Sequence, residues 1–261
     1  EKMREHFNSM SLPYELKIVE ETEPLGTGGA IVNCKSYLSG DAFCVINGDL
    51  VTSLRVEEML EFHNSNGGIA TISLWEVEDP SRFGVADYRQ ESGKIMRFQE
   101  KPPKEEAYSN LINAGTYILE PEIFQLMPEG AHSIERDVYE DLAATGGLNG
   151  FPFEGWFVDA GTPNSFVDAT KVCIAEGRFA SGKVSGDSWF GEGSENGGKV
   201  IGSSVGPEAV IEDGATISNS VILEGAKIGA DSVLENCLIG IGAKVPEGTE
   251  LFGEIVDHSV L

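Results

Sequence analysis

The C-terminal part of the chain repeats. Counting in sixes gives Val205, Ile211 and Ile217, then Ile222, Ile228 and Leu234, then Ile239, Val245 and Leu251. The step is six within each trio and five between trios, so corresponding members lie seventeen residues apart. Small and turn-forming residues fill the gaps, as in VGPEAV, IEDGAT and KIGADS. An aliphatic residue held at a hexapeptide phase marks a β-solenoid whose coil has three short sides. No coil can bury its inward aliphatics alone, so neighbouring coils must stack. The reading places this solenoid at residues 199–261. Residues 181–198, SGKVSGDSWFGEGSENGG, are Gly/Ser-rich and aperiodic, which suits a connector, with Trp189 and Phe190 packing it against something.

Upstream the pattern changes. LKIVEE (16–21), AFCVING (42–48), GIATISLWEV (68–77), GVADYR (84–89), INAGTYILE (112–120) and EGWFVDAG (154–161) are rich in β-branched and aromatic residues and read as strands. RVEEMLEFHNSN (55–66), PEIFQLM (121–127), IERDVYEDLAAT (134–145) and SFVDATKVCIAEGRFA (165–180) carry helical spacing. This alternation over residues 1–180 predicts an α/β layered domain with a mostly parallel sheet.

A formal net charge of −25 argues against nucleic-acid or anionic-membrane partners, because nothing supplies the cationic surface they need. No run approaches the length of a membrane span, and the chain reads as soluble and cytoplasmic. It opens on Glu1 in a charged, helix-like stretch, EKMREHF, so sequence upstream of it is expected. Cys34, Cys44, Cys173 and Cys237 are far apart with no Cys-x-x-Cys pair, and are expected to be buried reduced thiols. His6, His63, His132 and His258 show no metal spacing, and surface or loop positions are expected for them.

Three local features carry candidate chemistry. Glu23–Ala30 includes LGTGGA, a glycine-rich loop between an expected strand and a helical stretch. Without Cβ atoms, its backbone amides could approach a ligand closely; a bare turn at a helix start would look similar. Asn47-Gly48-Asp49 follows the apolar run Phe43–Ile46. Ligands gather beyond the carboxyl ends of strands in open α/β sheets, and an Asp there is placed to bind Mg²⁺ or merely to cap a turn. Trp156–Pro163, WFVDAGTP, again ends a strand on an Asp, Asp159, followed by a glycine turn. Two such carboxylates brought together would make a better metal site than either alone.

The ordered set LGTGGA, NGD, FGV (83–85), FQEKP (98–102), NAG (113–115), SIERDV (133–138) and WFVDAGTP resembles the nucleotide-diphospho-sugar pyrophosphorylase family over essentially the whole chain. The variant with a hexapeptide C-terminus is similar to mannose-1-phosphate guanylyltransferases and archaeal sugar-phosphate nucleotidyltransferases. The resemblance implies a Rossmann-like, three-layer nucleotidyltransferase domain followed by a left-handed parallel β-helix. It implies transfer of a nucleotidyl group from a nucleoside triphosphate to a sugar 1-phosphate, of the GDP-mannose or the UDP- or dTDP-glucose type. Leu25, Gly26, Thr27 and Gly48 would meet the nucleotide. Asp49 and Asp159 would hold a catalytic Mg²⁺. Gly84, Glu100, Asn113 and Thr162 would bind the sugar phosphate, and Lys101 would grip its phosphate as a further catalytic residue. A homo-oligomer through the β-helix is expected, because exposed coil edges and flat faces self-associate readily.

One departure is large. The family's opening G-x-G-T-R-L-x-P-L-T signature, which would wrap the triphosphate, is nowhere in this sequence. The chain thus reads as an N-terminally truncated transferase domain, crippled in catalysis as it stands. The alternative is an inactive regulatory or scaffold relative.

Overall fold

The computed structural model describes residues 2–8, 10–38 and 40–258. Glu1 and residues 259–261, the outermost residues of the two expected domains, lie outside them. Two compact units emerge, one of residues 1–47 and 54–155, the other of residues 48–53 and 156–261. Each is described by itself.

The first unit starts with helix α1 (Lys2–Asn8) and helix α2 (Gly26–Asn33). Residues 16–21, expected to be a strand, form none: they have no ladder partner among the described residues. Strand β1 (Phe43–Ile46) follows, and the next strand, β2 (Leu50–Thr52), belongs to the second unit. Helix α3 (Val56–Asn66) buries Met59 and His63, four residues apart on one face, and stops at Gly67, whose positive φ turns the chain away. Strands β3 (Ala70–Glu76), β4 (Gly84–Arg89), β5 (Lys94–Glu100) and β6 (Leu111–Leu119) come next. A π-helical turn, Glu135–Tyr139, runs into helix α4 (Glu140–Ala144), and strand β7 (Leu148–Pro152) completes the unit.

The six-stranded sheet has the order β1-β6-β3-β7-β5-β4. Strands β1, β3, β4 and β7 share one direction, while β5 and β6 run against them. Side by side, therefore, β3–β7 is the parallel pair and the other neighbours are antiparallel. The α/β class is as expected, with this refinement of the parallel sheet; it arises because β4 and β5 form a hairpin and β6 slots between β1 and β3. The core gathers Ile72, Leu74, Ile95, Tyr117, Leu119, Ile134, Tyr139 and Leu148.

The second unit pairs β2 antiparallel with strand β8 (Phe157–Asp159), then continues into helix α5 (Pro163–Ala175) and the solenoid. The solenoid follows the arithmetic of the sequence. Val205 pairs with Ile222 and Ile222 with Ile239; Ile211 pairs with Ile228 and Ile228 with Val245; Ile217 pairs with Leu234 and Leu234 with Leu251. All nine side chains but Leu251 are buried, and Leu251 packs against the cluster from the end of the stack. The stack also extends upstream of the expected boundary. Trp189 and Phe190 pair with Ser204 and Val205, and Glu195 and Asn196 pair with Val210 and Ile211. Residues 188–196 thus belong to a first coil and not to a connector, and Lys183–Ser185 pairs antiparallel with its Ser188–Phe190 side; their glycine and serine content masked a strand pattern too short to read.

One corner of the solenoid shows how stacking satisfies polar groups. Ser203 Oγ donates to Ile201 O (2.7 Å) and accepts from Ser220 N (3.0 Å) in the next coil. Ser220 Oγ likewise donates to Ser218 O (2.7 Å) and accepts from Cys237 N (3.0 Å). The residue before each of these, Gly202, Asn219 and Asn236, has positive φ, which glycine and asparagine tolerate best.

Cys237 is buried, whereas Cys44 is exposed and Cys34 and Cys173 are half-buried, so burial of all four thiols is not what the structure shows. His6 and His258 are exposed, but His63 and His132 are not. His63 faces inward because both ring nitrogens find hydrogen-bond partners there, Nδ1 with Thr71 Oγ1 (2.7 Å) and Nε2 with Glu120 Oε1 (3.1 Å). Among the described residues no helix is long and apolar enough to cross a membrane.

Candidate active site

In the second unit the two aspartates come together. The β2–β8 register sets Leu50 opposite Asp159, and Ala160 N–H donates to Asp49 O (2.8 Å). Asp49, just before β2, is therefore the ladder neighbour of Asp159 at the end of β8. Gly161 N–H donates to Asp159 Oδ1 (2.9 Å). A Cβ placed on Gly161 would lie 2.9 Å from Asp159 Oδ1 and 3.3 Å from Asp49 Oδ2, so both carboxylates border the same small space. No cationic side chain pairs with either among the described residues. No cluster of three or more His, Cys, Asp or Glu suited to a metal is present among them either. Thr162 caps α5: its Oγ1 accepts from Ser165 N (3.3 Å), and Thr162 N donates back to Ser165 Oγ (3.1 Å). Gly48 is exposed, and an added Cβ would touch nothing.

In the first unit the ladder sets Gly84 opposite Glu100. A side chain at Gly84 would collide with the Phe98 ring and approach Glu100 Oε2 to 2.9 Å, so glycine is what the crowded carboxyl permits. Burial, then the nearby Glu135 carboxylate, raises the Glu100 carboxyl above its ordinary range; Lys101 beside it pulls the other way. Lys101 has a left-handed backbone (φ 49°), held by its N–H donating to Phe83 O (3.0 Å). Its Nζ lies 3.5 Å from Glu100 Oε1 and remains half exposed. Asn113 Nδ2 donates to the Tyr117 hydroxyl (3.1 Å), and Asn113 Oδ1 accepts from Gly115 N (2.9 Å).

The glycine-rich segment is not a free loop. Gly26–Asn33 is helix α2, and its start is docked on the strip of chain at 130–135. The N–H groups of Gly28 (3.0 Å) and Gly29 (3.4 Å) donate to His132 O, and His132 N–H returns a bond to Leu25 O (2.9 Å). A Cβ on Gly28 would collide with the His132 ring. Those two amides therefore serve internal packing, which corrects the reading of the whole segment as a ligand cradle. Gly26 and Thr27 stay exposed, and Thr27 Oγ1 donates to Glu135 Oε2 (2.6 Å).

Glu135 and Tyr117 are the residues that sequence reasoning missed. Glu135 is buried, 8% exposed, and accepts from Thr27, from Ser133 Oγ (2.6 Å) and from the Tyr117 hydroxyl (3.3 Å). A signal existed. Glu135 shares helical phase with Val138, Tyr139 and Leu142, which makes it an acid on an apolar face. The Tyr139 hydroxyl, also buried, has no hydrogen-bond partner among the described residues.

The comparisons with known proteins agree with one another. A family model described as "Nucleotidyl transferase" matches residues 1–176, and one described as "GlmU-like, C-terminal hexapeptide" matches residues 169–257. The chain is 33% identical over 234 residues to "Probable mannose-1-phosphate guanylyltransferase 1" of Oryza sativa subsp. japonica, covering 85% of this chain and 64% of that protein. It is 31% identical over 241 residues to "Mannose-1-phosphate guanylyltransferase 1" of Arabidopsis thaliana, covering 87% and 66%. The chain thus spans about two thirds of the length of these relatives. The crystal structure of HddC from Yersinia pseudotuberculosis is similar with a TM-score of 0.55 and 29% identity over 66% of this chain and 72% of that one. A second structure of HddC, complexed with GMP-PN, gives a TM-score of 0.54 over the same shares.

Proposed function

The chain belongs to the nucleotidyl transferase family, and from that premise we propose that the intact protein transfers a nucleotidyl group from a nucleoside triphosphate to a sugar 1-phosphate. The names of the relatives favour guanosine triphosphate and mannose 1-phosphate over a uridylyl or thymidylyl reaction on glucose 1-phosphate. The observation that carries the proposal is the convergence of Asp49 and Asp159 on one space. Two uncompensated carboxylates fit Mg²⁺, which takes few protein carboxylates and completes its shell with phosphate oxygens and water. Bound there, the ion would neutralise charge on the triphosphate.

The rest is positioning by the chain itself. Glu100, Gly84 and Asn113 are proposed to hold sugar hydroxyls through a carboxylate, a backbone strand and an amide. The half-exposed Lys101 ammonium would meet the anionic phosphate of the sugar 1-phosphate. Leu25, Gly26, Thr27 and Gly48 would border the nucleotide, and Thr162 would lie near the phosphate at the start of α5. A sugar-phosphate oxygen attacks the α-phosphorus, the bond from that phosphorus to the bridging oxygen breaks, and pyrophosphate leaves with the electron pair. No protein nucleophile is required.

Pyrophosphate release by the intact protein, with five triphosphates against several sugar 1-phosphates, tests this. Asp49→Asn and Asp159→Asn are each expected to lower kcat/KM by about a hundredfold or more. Turnover unchanged by both removes the metal assignment. No turnover with any pair, in a protein that stays folded, would assign a regulatory or scaffold role instead. Oligomerisation through the solenoid is proposed alongside, and a monomer in light scattering would end that part.

A further inference from the structure

Three hydroxyls meet at Glu135, and each is already committed as an acceptor. Thr27 Oγ1 accepts from Ile134 N (3.1 Å), Ser133 Oγ from Arg136 N (3.3 Å) and the Tyr117 hydroxyl from Asn113 Nδ2 (3.1 Å). An amide N–H can only donate, so each hydroxyl must turn its own proton elsewhere. All three turn it to Glu135: Thr27 and Ser133 to Oε2, Tyr117 to Oε1. Only a group that accepts at every one of these positions suits such a centre, and an ionised carboxylate is one. A glutamine would present N–H groups to at least one proton already pointing inward.

Two arms leave this centre. One is Thr27, on the segment proposed to meet the nucleotide. The other is Tyr117, whose lone pair holds Asn113 Nδ2 while Gly115 N–H holds Asn113 Oδ1. Asn113 is thereby fixed end for end, and among the described residues one N–H and one oxygen lone pair are left for a sugar hydroxyl. Resting on the functional reading above, we infer that Glu135 is a positioning residue that sets the hydroxyls of Thr27 and Tyr117 and so aligns the nucleotide-side and sugar-side contacts from one buried carboxylate.

The arms can be cut separately in the intact protein. Tyr117→Phe is expected to raise the KM for sugar 1-phosphate about tenfold, with the triphosphate KM and kcat changed less than about twofold. Thr27→Val should do the reverse, and Glu135→Gln should raise both KM values. A loosening of the fold would move both constants in every variant. Equal shifts in both constants for Tyr117→Phe and Thr27→Val, or no shift in either, overturn the inference.

Unfolding of the same variants reads the centre without substrate. Thr27→Val and Tyr117→Phe should each lower Tm more in the wild type than in Glu135→Gln, because the shared acceptor is then already compromised. Equal losses in both backgrounds overturn the inference even for a protein that binds neither substrate. Absence of turnover with an intact unfolding signature would instead overturn the functional reading and leave Glu135 as a structural centre.

Discussion

The solenoid and the six-stranded sheet bury polar groups in opposite ways. In the solenoid each problem recurs every seventeen residues and receives the same answer: the Ser203 hydroxyl serves the coil above as the Ser220 hydroxyl serves the next. In the sheet unit each buried polar group is singular. Glu135 collects three hydroxyl donors, Glu100 sits beside it at a raised pKa, and the Tyr139 hydroxyl has no hydrogen-bond partner among the described residues. Repetition spreads stability over equivalent side chains in successive coils. The singular arrangement gives a site, and some stability is given up for it.

If the solenoid is stabilised by nearest-neighbour stacking, the largest effect should come from its middle. Leu234 is fully buried and pairs with Ile217 on one side and Leu251 on the other. Leu234→Ala is expected to cost about 2–5 kcal/mol, the transfer term plus a cavity that stacked strands cannot collapse to fill. Leu251→Ala, at the half-open end of the stack, should cost clearly less. Hydrogen exchange on solenoid peptides under mild denaturant reads both. Equal costs would mean that the last coil is as tightly held as the middle, which would break the one-dimensional picture.

The serine corner sharpens the comparison at a smaller scale. Ser220→Ala leaves the Cys237 N–H without its acceptor inside the stack, at a cost of about 1–3 kcal/mol. Ser220→Cys should recover part of this, since Cys237 occupies the corresponding position one coil on and its thiol reaches Glu235 O at 3.3 Å. The same exchange measurement separates the two, and an alanine variant as stable as wild type would show that the ladder is geometric and not energetic.

The two regions also differ in how much of them the sequence disclosed. Nine aliphatics at fixed phase foretold the solenoid pairings residue by residue, because a stacked coil imposes the same burial on the same position each time. Only the first coil hid, since Asn196 stands where later coils carry Ile211 and Ile228. In the sheet unit, β1, β3, β4 and β6 were legible as apolar or alternating runs. Strand β5, KIMRFQE, carries too much charge to announce itself. Strand β7, LNGFP, holds a glycine because a Cβ at Gly150 would press on Leu74, Tyr88 and Ile95. At the site, the pairing of Asp49 with Asp159 could be suspected from two strand-end aspartates, but adjacency is a property of the β2–β8 register that spacing does not encode. Glu135 lies within SIERDV but carries no sign of its role there, because a carboxylate satisfied by distant hydroxyls leaves no local motif.

The smallest expected effect bears most directly on stability given up for function. The Glu100 carboxyl is raised in the folded protein, chiefly by burial and then by Glu135. A raised carboxyl binds its proton more tightly folded than unfolded, so ionising it opposes folding. The penalty is present in full above the folded pKa. It is relieved as pH falls from that value to the ordinary 4.5 of the unfolded chain, below which no further change comes from this group. Glu100→Gln removes the ionisable group but keeps the shape. It should therefore raise Tm at neutral pH by less than either solenoid substitution lowers it, and the gain should shrink as the pH approaches 4.5. The same variant should weaken sugar 1-phosphate binding, since an amide has lost one of the acceptors that Glu100 offers. Thermal unfolding of both proteins from neutral to acidic pH decides it: a Tm difference that is absent, or that grows toward acid, would show that Glu100 is not held against its own preference.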